Sequence, residues 1–339
     1  AIMFPILNLI LNGSSVAVIW FGGKLISVDK MQIGSLTAFL AYLMQILANV
    51  MMAVMMSLMI PRAEASAERV QEILKTQTSI NENASIVEKV HHLGKIEFKN
   101  VEFRYPGAEH PILSDISFIA EPRKFTAIIG STGSGKSTLL NLIPRFMDVS
   151  SGAVLIDGED VRDQSLESLW SHMGLVPQRS LLFKGTVRDN LKWGKKDATD
   201  EEIWNALEVA QARDFIESLP EKLDAEVAQS GSNFSGGQRQ RLAIARALIR
   251  KPQIYILDDS FSALDFETDA KLRHQLSKYA EDSTLIVVAQ RVSTILNADQ
   301  IVVLNEGKVV GVGNHHQLME SCQTYKEIVL SQLSPEEAA

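Results

Sequence analysis

Two stretches of this chain, 1–23 and 35–60, contain no charged residue. In a helix the second, 26 residues long, would reach about 39 Å, more than the ~30 Å hydrocarbon core of a bilayer. Charge is costly at mid-bilayer, so two such blanks in succession predict membrane spans rather than a buried pair of core helices. The polar link between them holds Lys24, Asp29 and Lys30. A link that short makes the two helices antiparallel neighbours. Past Ile60 come Pro61, Arg62 and a charged helical stretch, 63–75. Arg62, Arg69 and Lys75 fit a cytoplasmic exit. Lys24 and Lys30 oppose that, so orientation rests on the domain that follows.

No basic segment precedes the first apolar run, so it does not read as a signal peptide. The chain opens on Ala1 without methionine, and is expected to begin inside a longer protein. The second span is rich in methionine: Met44, Met51, Met52, Met55, Met56 and Met59. The spacing 52, 55, 56, 59 puts four on one helix face. Helix packing or lipid contact explains them, and so does a flexible lining for varied substrates. Gln45 and Asn49, one turn apart, suit hydrogen bonds to a neighbouring helix or to substrate.

The net charge of −8 argues against a nucleic-acid partner, which would call for a basic face. Cys322 is the single cysteine, so no internal disulfide forms. A chain of 339 residues suggests two domains. The expected boundaries are membrane helices and their extension over 1–75, a polar linker over 76–94, a soluble domain over 95–332 and a tail over 333–339.

In the soluble part an apolar run, 125–129, leads into Gly130, Ser131, Thr132, Gly133, Ser134, Gly135, Lys136, Ser137 and Thr138. This is the pattern G-x-x-x-x-G-K-S, strand before and helix (138–143) after, the P-loop. Glycines let successive N–H groups turn toward phosphate oxygens, and the helix N-terminus adds its dipole. Lys136 is placed to reach the β- and γ-phosphates, and the Ser137 hydroxyl to ligate magnesium. Downstream, the short β-prone run 254–257 ends in Asp258 and Asp259. A buried strand ending in an acid supplies the second magnesium ligand that a P-loop needs. ATP and magnesium are therefore the expected ligands.

Between these two sites lies Phe234-Ser235-Gly236-Gly237-Gln238-Arg239-Gln240-Arg241, opening a helix through Leu248. This segment resembles the signature of ABC transporter ATPases, and with it the resemblance covers nearly the whole chain. The stretch from Leu142 to Phe146, Ser151-Gly152 and Ile156-Asp157-Gly158 are similar to those of exporters with the membrane domain fused ahead of the ATPase. The family fold would be all-α transmembrane helices, the fifth and sixth of six, followed by an α/β P-loop domain of ABC type. That domain has a parallel core sheet, an antiparallel β subdomain and a helical signature subdomain. The resemblance implies that Tyr105 stacks on adenine. It makes Gln178 a Q-loop residue that touches magnesium or the attacking water and faces the membrane helices. The segment 262–265 would be the D-loop. Ser235, Gly236, Gly237 and Gln238 would bind nucleotide held by a second subunit.

The chain departs from that pattern in three places. Asp259 stands where the family has glutamate, the carboxylate that polarises water. Gln290 stands where the family has histidine, near the γ-phosphate. Glutamine donates a hydrogen bond but carries no proton or charge. The segment Val227-Ala228-Gln229-Ser230-Gly231 replaces Val-Gly-Glu-Arg-Gly, which bears on coupling to the membrane domains. An intact signature beside two altered catalytic positions resembles the weak-site subunit of heterodimeric multidrug-type exporters. The expected function is ATP-driven efflux of a drug, lipid or peptide across the plasma or inner membrane, with the nucleotide domain cytoplasmic. The expected partners are a second half-transporter, the bilayer and the cargo. A homodimer with a weak site, a soluble ABC-type ATPase and a regulatory module are the alternatives.

Overall fold

The structure is a computed structural model and describes residues 3–81 and 93–334. Most of the expected linker, and the tail from 335 on, lie outside the described residues. Two compact units result, 1–78 and 79–339.

The first unit is a helical hairpin. Helix α1 (Met3–Ser27) and helix α2 (Ile33–Lys75) are both long and apolar enough to cross a membrane. The link is shorter than the charges suggested. Lys24 sits in the last turn of α1, and only 28–32 connect the helices. The turn is a complete left-handed cap. Asp29 has φ 52°, its N–H donates to the Ile26 carbonyl (3.0 Å), and Lys30 N–H donates to Leu25 (2.9 Å). These 5→2 and 6→1 bonds satisfy the end of α1. The helices meet closely at Gly22, where an added Cβ would come 2.3 Å from Leu36 Cδ1. Small residues permit such approaches where apolar packing alone gives little drive.

The charged stretch after Ile60 is not a separate helix. It continues α2 through Pro61. Proline removes one intrahelical bond, yet the bonds on either side outlast that loss over 43 residues, a length of about 65 Å. Within this hairpin Met52, Met55, Met56 and Met59 remain exposed, as do Gln45 and Asn49. Met44 and Met51 line a groove with Leu7, Asn8 and Leu11 of α1.

The second unit has two main sheets. Strands β1 (Ile96–Phe103), β2 (Leu113–Ala120), β4 (Ser151–Ile156) and β5 (Glu159–Asp160) form an antiparallel sheet ordered β2-β1-β4-β5. Strands β3 (Phe125–Gly130), β6 (Met173–Val176), β9 (Ile254–Asp258), β10 (Thr284–Val288), β11 (Gln300–Asn305) and β12 (Lys308–Gly313) form the other. Its order is β12-β11-β3-β10-β9-β6, parallel except for the edge strand β12. A short ribbon joins β7 (Gly185–Thr186) to β8 (Glu226–Val227). Helices α3 (Lys136–Leu142), α4 (Leu166–Ser171), α5 (Val187–Lys192), α6 (Asp200–Val209), α7 (Arg213–Glu217), α8 (Gly236–Leu248), α9 (Phe266–Tyr279), α10 (His315–Ser321) and α11 (Gln323–Leu330) complete it.

The large sheet is covered on both faces, so its central strands are continuously apolar rather than alternating. In β10, Leu285 and Val287 join a core with α8, α9 and α11, while Ile286 and Val288 join the core under the antiparallel sheet and α3. The entry to this unit is held by Asp157, whose carboxylate accepts the N–H groups of Leu93 (2.9 Å), Gly94 (3.2 Å) and Lys95 (2.9 Å). Asp157→Ala is expected to cost about 1–3 kcal/mol. The urea midpoint should fall while its slope stays constant.

Candidate nucleotide site

The site begins where β3 ends. Gly130 has no room for a side chain, since a Cβ would lie 2.1 Å from the Leu304 carbonyl oxygen. Gly133 has space but φ 82°. Gly135 has φ 97°, and a Cβ there would lie 2.7 Å from Leu113 Cδ2. Close packing, conformation, and both together therefore demand the three glycines in turn. Gly135 caps α3, so the helix starts at Lys136, two residues earlier than the sequence suggested.

One cleft of about 360 Å³ gathers Tyr105, Thr132, Gly133, Gly135, Lys136, Ser137, Thr138, Gln178, Asp258, Asp259 and Gln290. The Lys136 ammonium donates to the carbonyls of Gly130 (2.8 Å) and Ser131 (2.7 Å). Burial lowers its pKa, opposed by the charges of Asp258 and Asp259. Burial also raises the pKa of Asp258, while the Ser137 hydroxyl pulls it back. Tyr105 packs edge-on against Phe103, with centroids 4.9 Å apart, and its hydroxyl lies 3.2 Å from Thr138 Oγ1. Part of its ring stays exposed at the mouth.

Asp259 follows β9 in the left-handed region, φ 48°, with its N–H on the Val288 carbonyl (3.0 Å). Its side chain is buried. Burial raises its pKa, and hydrogen bonds from Gln178 and Ser262 oppose that. Two amides converge on a single oxygen: Gln290 Nε2 donates to Asp259 Oδ2 at 2.7 Å, and Gln178 Nε2 donates to it at 3.3 Å. The sequence did not show that the two altered positions touch each other.

The signature residues do not line this cleft. Ser235 caps α8 by accepting the Gln238 N–H (3.3 Å), and Gln238 Oε1 accepts the Ser235 N–H (2.9 Å), a reciprocal capping box. Ser235 and Gly236 are exposed. Among the described residues nothing lies within 4 Å of a Cβ built on Gly236, whereas one on Gly237 would be 3.1 Å from the Ala263 carbonyl. Of the D-loop segment, Asp265 caps α9 through the Thr268 N–H (2.9 Å), and Ser262 Oγ donates to the Asp259 carbonyl (3.0 Å).

The donor set suits a nucleotide with magnesium. A hydroxyl (Ser137) and a carboxylate (Asp258) are the hard oxygen ligands that magnesium takes alongside phosphates. Residues 113–262 match the family model described as ABC transporter. An ABC transporter ATP-binding protein of Mycobacterium bovis is 51% identical over 336 residues, spanning 98% of this chain and 57% of that protein. The chain belongs to the ABC transporter family. This ABC transporter chain is also 36% identical to an ATP-dependent lipid A-core flippase of Xanthomonas oryzae, over 92% of the chain and 53% of the flippase. A solved bacterial Atm1-family ABC exporter with ATP bound superposes with a TM-score of 0.75 and 32% identity, covering 95% of this chain and 56% of that one. The chain thus spans a little over half the length of the relatives it matches. Its architecture is theirs: apolar helices, then an ABC nucleotide-binding domain.

Proposed function

We propose that this chain is the ATP-binding and ATP-hydrolysing portion of an ABC exporter subunit, with its helices in the membrane and its nucleotide domain in the cytoplasm. Lys136 and the backbone of 130–138 bind the phosphates, Tyr105 stacks on the base, and Ser137, Gln178 and Asp258 surround the metal. Magnesium, when bound there, neutralises charge on the phosphates. Asp259 orients the attacking water, and Gln290 stands near the γ-phosphate.

The observation that carries the finer reading is the shared oxygen of Asp259. A carboxylate one methylene short, with one oxygen occupied by two amide donors, is a poorly placed acceptor for a water proton. Misplacement by about 1 Å costs on the order of 10²-fold in rate. We therefore assign this site slow hydrolysis and assign the exposed signature to a competent site on a second, different subunit. Cargo export depends on that pair. The transported molecule is of a class shared by exporters: drug, lipid or peptide.

In the paired complex, Asp259→Asn is expected to change total ATP turnover by less than about twofold, because most turnover occurs at the other site. A tenfold loss would instead support a homodimer whose sites are equal. The converse change, Asp259→Glu with Gln290→His, is expected to raise turnover at this site by about tenfold or more. An unchanged single-site rate would remove the explanation given for its weakness.

A further inference from the structure

We propose that Gln332, beyond the last helix and outside every motif, is a positioning residue for the loop that carries Gln290. Its side-chain amide grips the main chain on both sides of Arg291. Gln332 Nε2 donates to the Gln290 carbonyl at 2.8 Å, and Gln332 Oε1 accepts the Val292 N–H at 2.9 Å. Two antiparallel bonds from one planar group fix both the height and the rotation of the peptide they hold.

Both ends of this clamp have firm footing. Tyr325 and Val329 of α11 are fully buried, and Leu333 packs on the same core. Gln332 and Leu333 each donate an N–H to the Val329 carbonyl, at 3.0 and 2.9 Å. On the other side, Val292 is fully buried. The side chains of the gripped segment point at the chemistry. Gln290 reaches Asp259 Oδ2 at 2.7 Å, and Arg291 reaches the Ser262 carbonyl at 3.5 Å. Ser262 in turn holds the Asp259 carbonyl. A shift of the main chain at 290–292 therefore moves a contact to the carboxylate and a contact to the D-loop segment together. Through this side chain the C-terminal segment is tied to the site.

The inference rests on the reading that Asp259 and Gln290 set the rate at this chain's own site. The test uses the paired complex in lipid nanodiscs, the partner's own P-loop disabled and the complex in excess over ATP, so that a single turnover at this chain's site is followed. Gln332→Met keeps the volume and removes both bonds. It is expected to slow the single-turnover rate about tenfold, because drawing Gln290 away from the γ-phosphate costs more than freeing Asp259 Oδ2 regains, while ATP affinity changes less than about twofold. Gln332→Glu keeps the acceptor for Val292 and loses the donor to Gln290, and should fall between. Gln332→Met should add nothing in a Gln290→Ala background. Amide exchange at Val292 should speed up in Gln332→Met with an unchanged thermal midpoint. Full rate in Gln332→Met, or losses that add in the double variant, would overturn the positioning role. Should Gln290→Ala alone leave the rate untouched, the reading of the site fails instead. Val292 exchange then still judges the clamp: faster exchange supports it and unchanged exchange removes it.

Discussion

Lys136→Ala is expected to abolish detectable ATP binding at this chain's own P-loop and to lower turnover there by about 10²–10³-fold, the usual cost of losing one preorganised charge donor. The reason lies in where the ammonium sits. It is half-buried, and burial lowers its pKa while the charges of Asp258 and Asp259 oppose that shift. The Gly130 and Ser131 carbonyls fix it at 2.8 and 2.7 Å. A compact cation is thus kept at the mouth of a loop whose N–H groups already favour anions. Removing it leaves two carboxylates, each with a pKa raised by burial, facing a polyphosphate. Arginine is a poor replacement, since its planar fork does not fit a point-charge position. Labelling with a photoreactive ATP analogue, mapped to peptides of this chain, checks the result. Labelling of Lys136→Ala at wild-type efficiency would show that the phosphates are held elsewhere.

The nucleotide cleft was legible because its residue types answer to different physical demands. Gly130 is required by a backbone oxygen, Gly133 by its positive φ, and Gly135 by its positive φ and the Leu113 side chain beside it. The core sheet was legible for a similar reason. Strands such as β9, covered on both faces, read as unbroken apolar runs. What escaped depends on contacts between distant positions. Asp259 and Gln290 were each seen as departures, yet their 2.7 Å bond has no trace in local pattern. Gln332 carries no signal in sequence at all, because one glutamine near a chain end resembles any surface glutamine. The sequence marked 63–75 as helical but left open whether it continues the second span, because proline usually marks a boundary. Here the helical bonds on both flanks outweigh the single one it removes. The role of the signature came from family resemblance alone. Its capping box explains Ser235 and Gln238 as local structure, and only the empty space around Gly236 hints at anything more.

That empty space yields the sharpest test of the two-subunit reading. Ser235→Ala would confound two effects, since losing an N-cap by itself costs about 1 kcal/mol. Gly236→Leu does not. Its backbone lies outside the positive-φ region, no described residue sits within 4 Å of the new Cβ, and leucine is the better helix former by close to 1 kcal/mol. The fold should tolerate the change, with a thermal midpoint equal to or above that of the parent. The side chain would, however, stand over the exposed Ser235 edge, where the proposal puts the second subunit's nucleotide. A bulk displacement of even 1 Å there costs on the order of 10²-fold. In the paired complex, Gly236→Leu is therefore expected to cut total ATP turnover by about 10²-fold, while Asp259→Asn barely alters it. That asymmetry follows only if this chain's surface completes a site that another chain operates. Equal and severe losses from both variants would mean that the same subunit supplies both halves of every competent site. Full turnover in Gly236→Leu would mean that the signature surface meets no nucleotide.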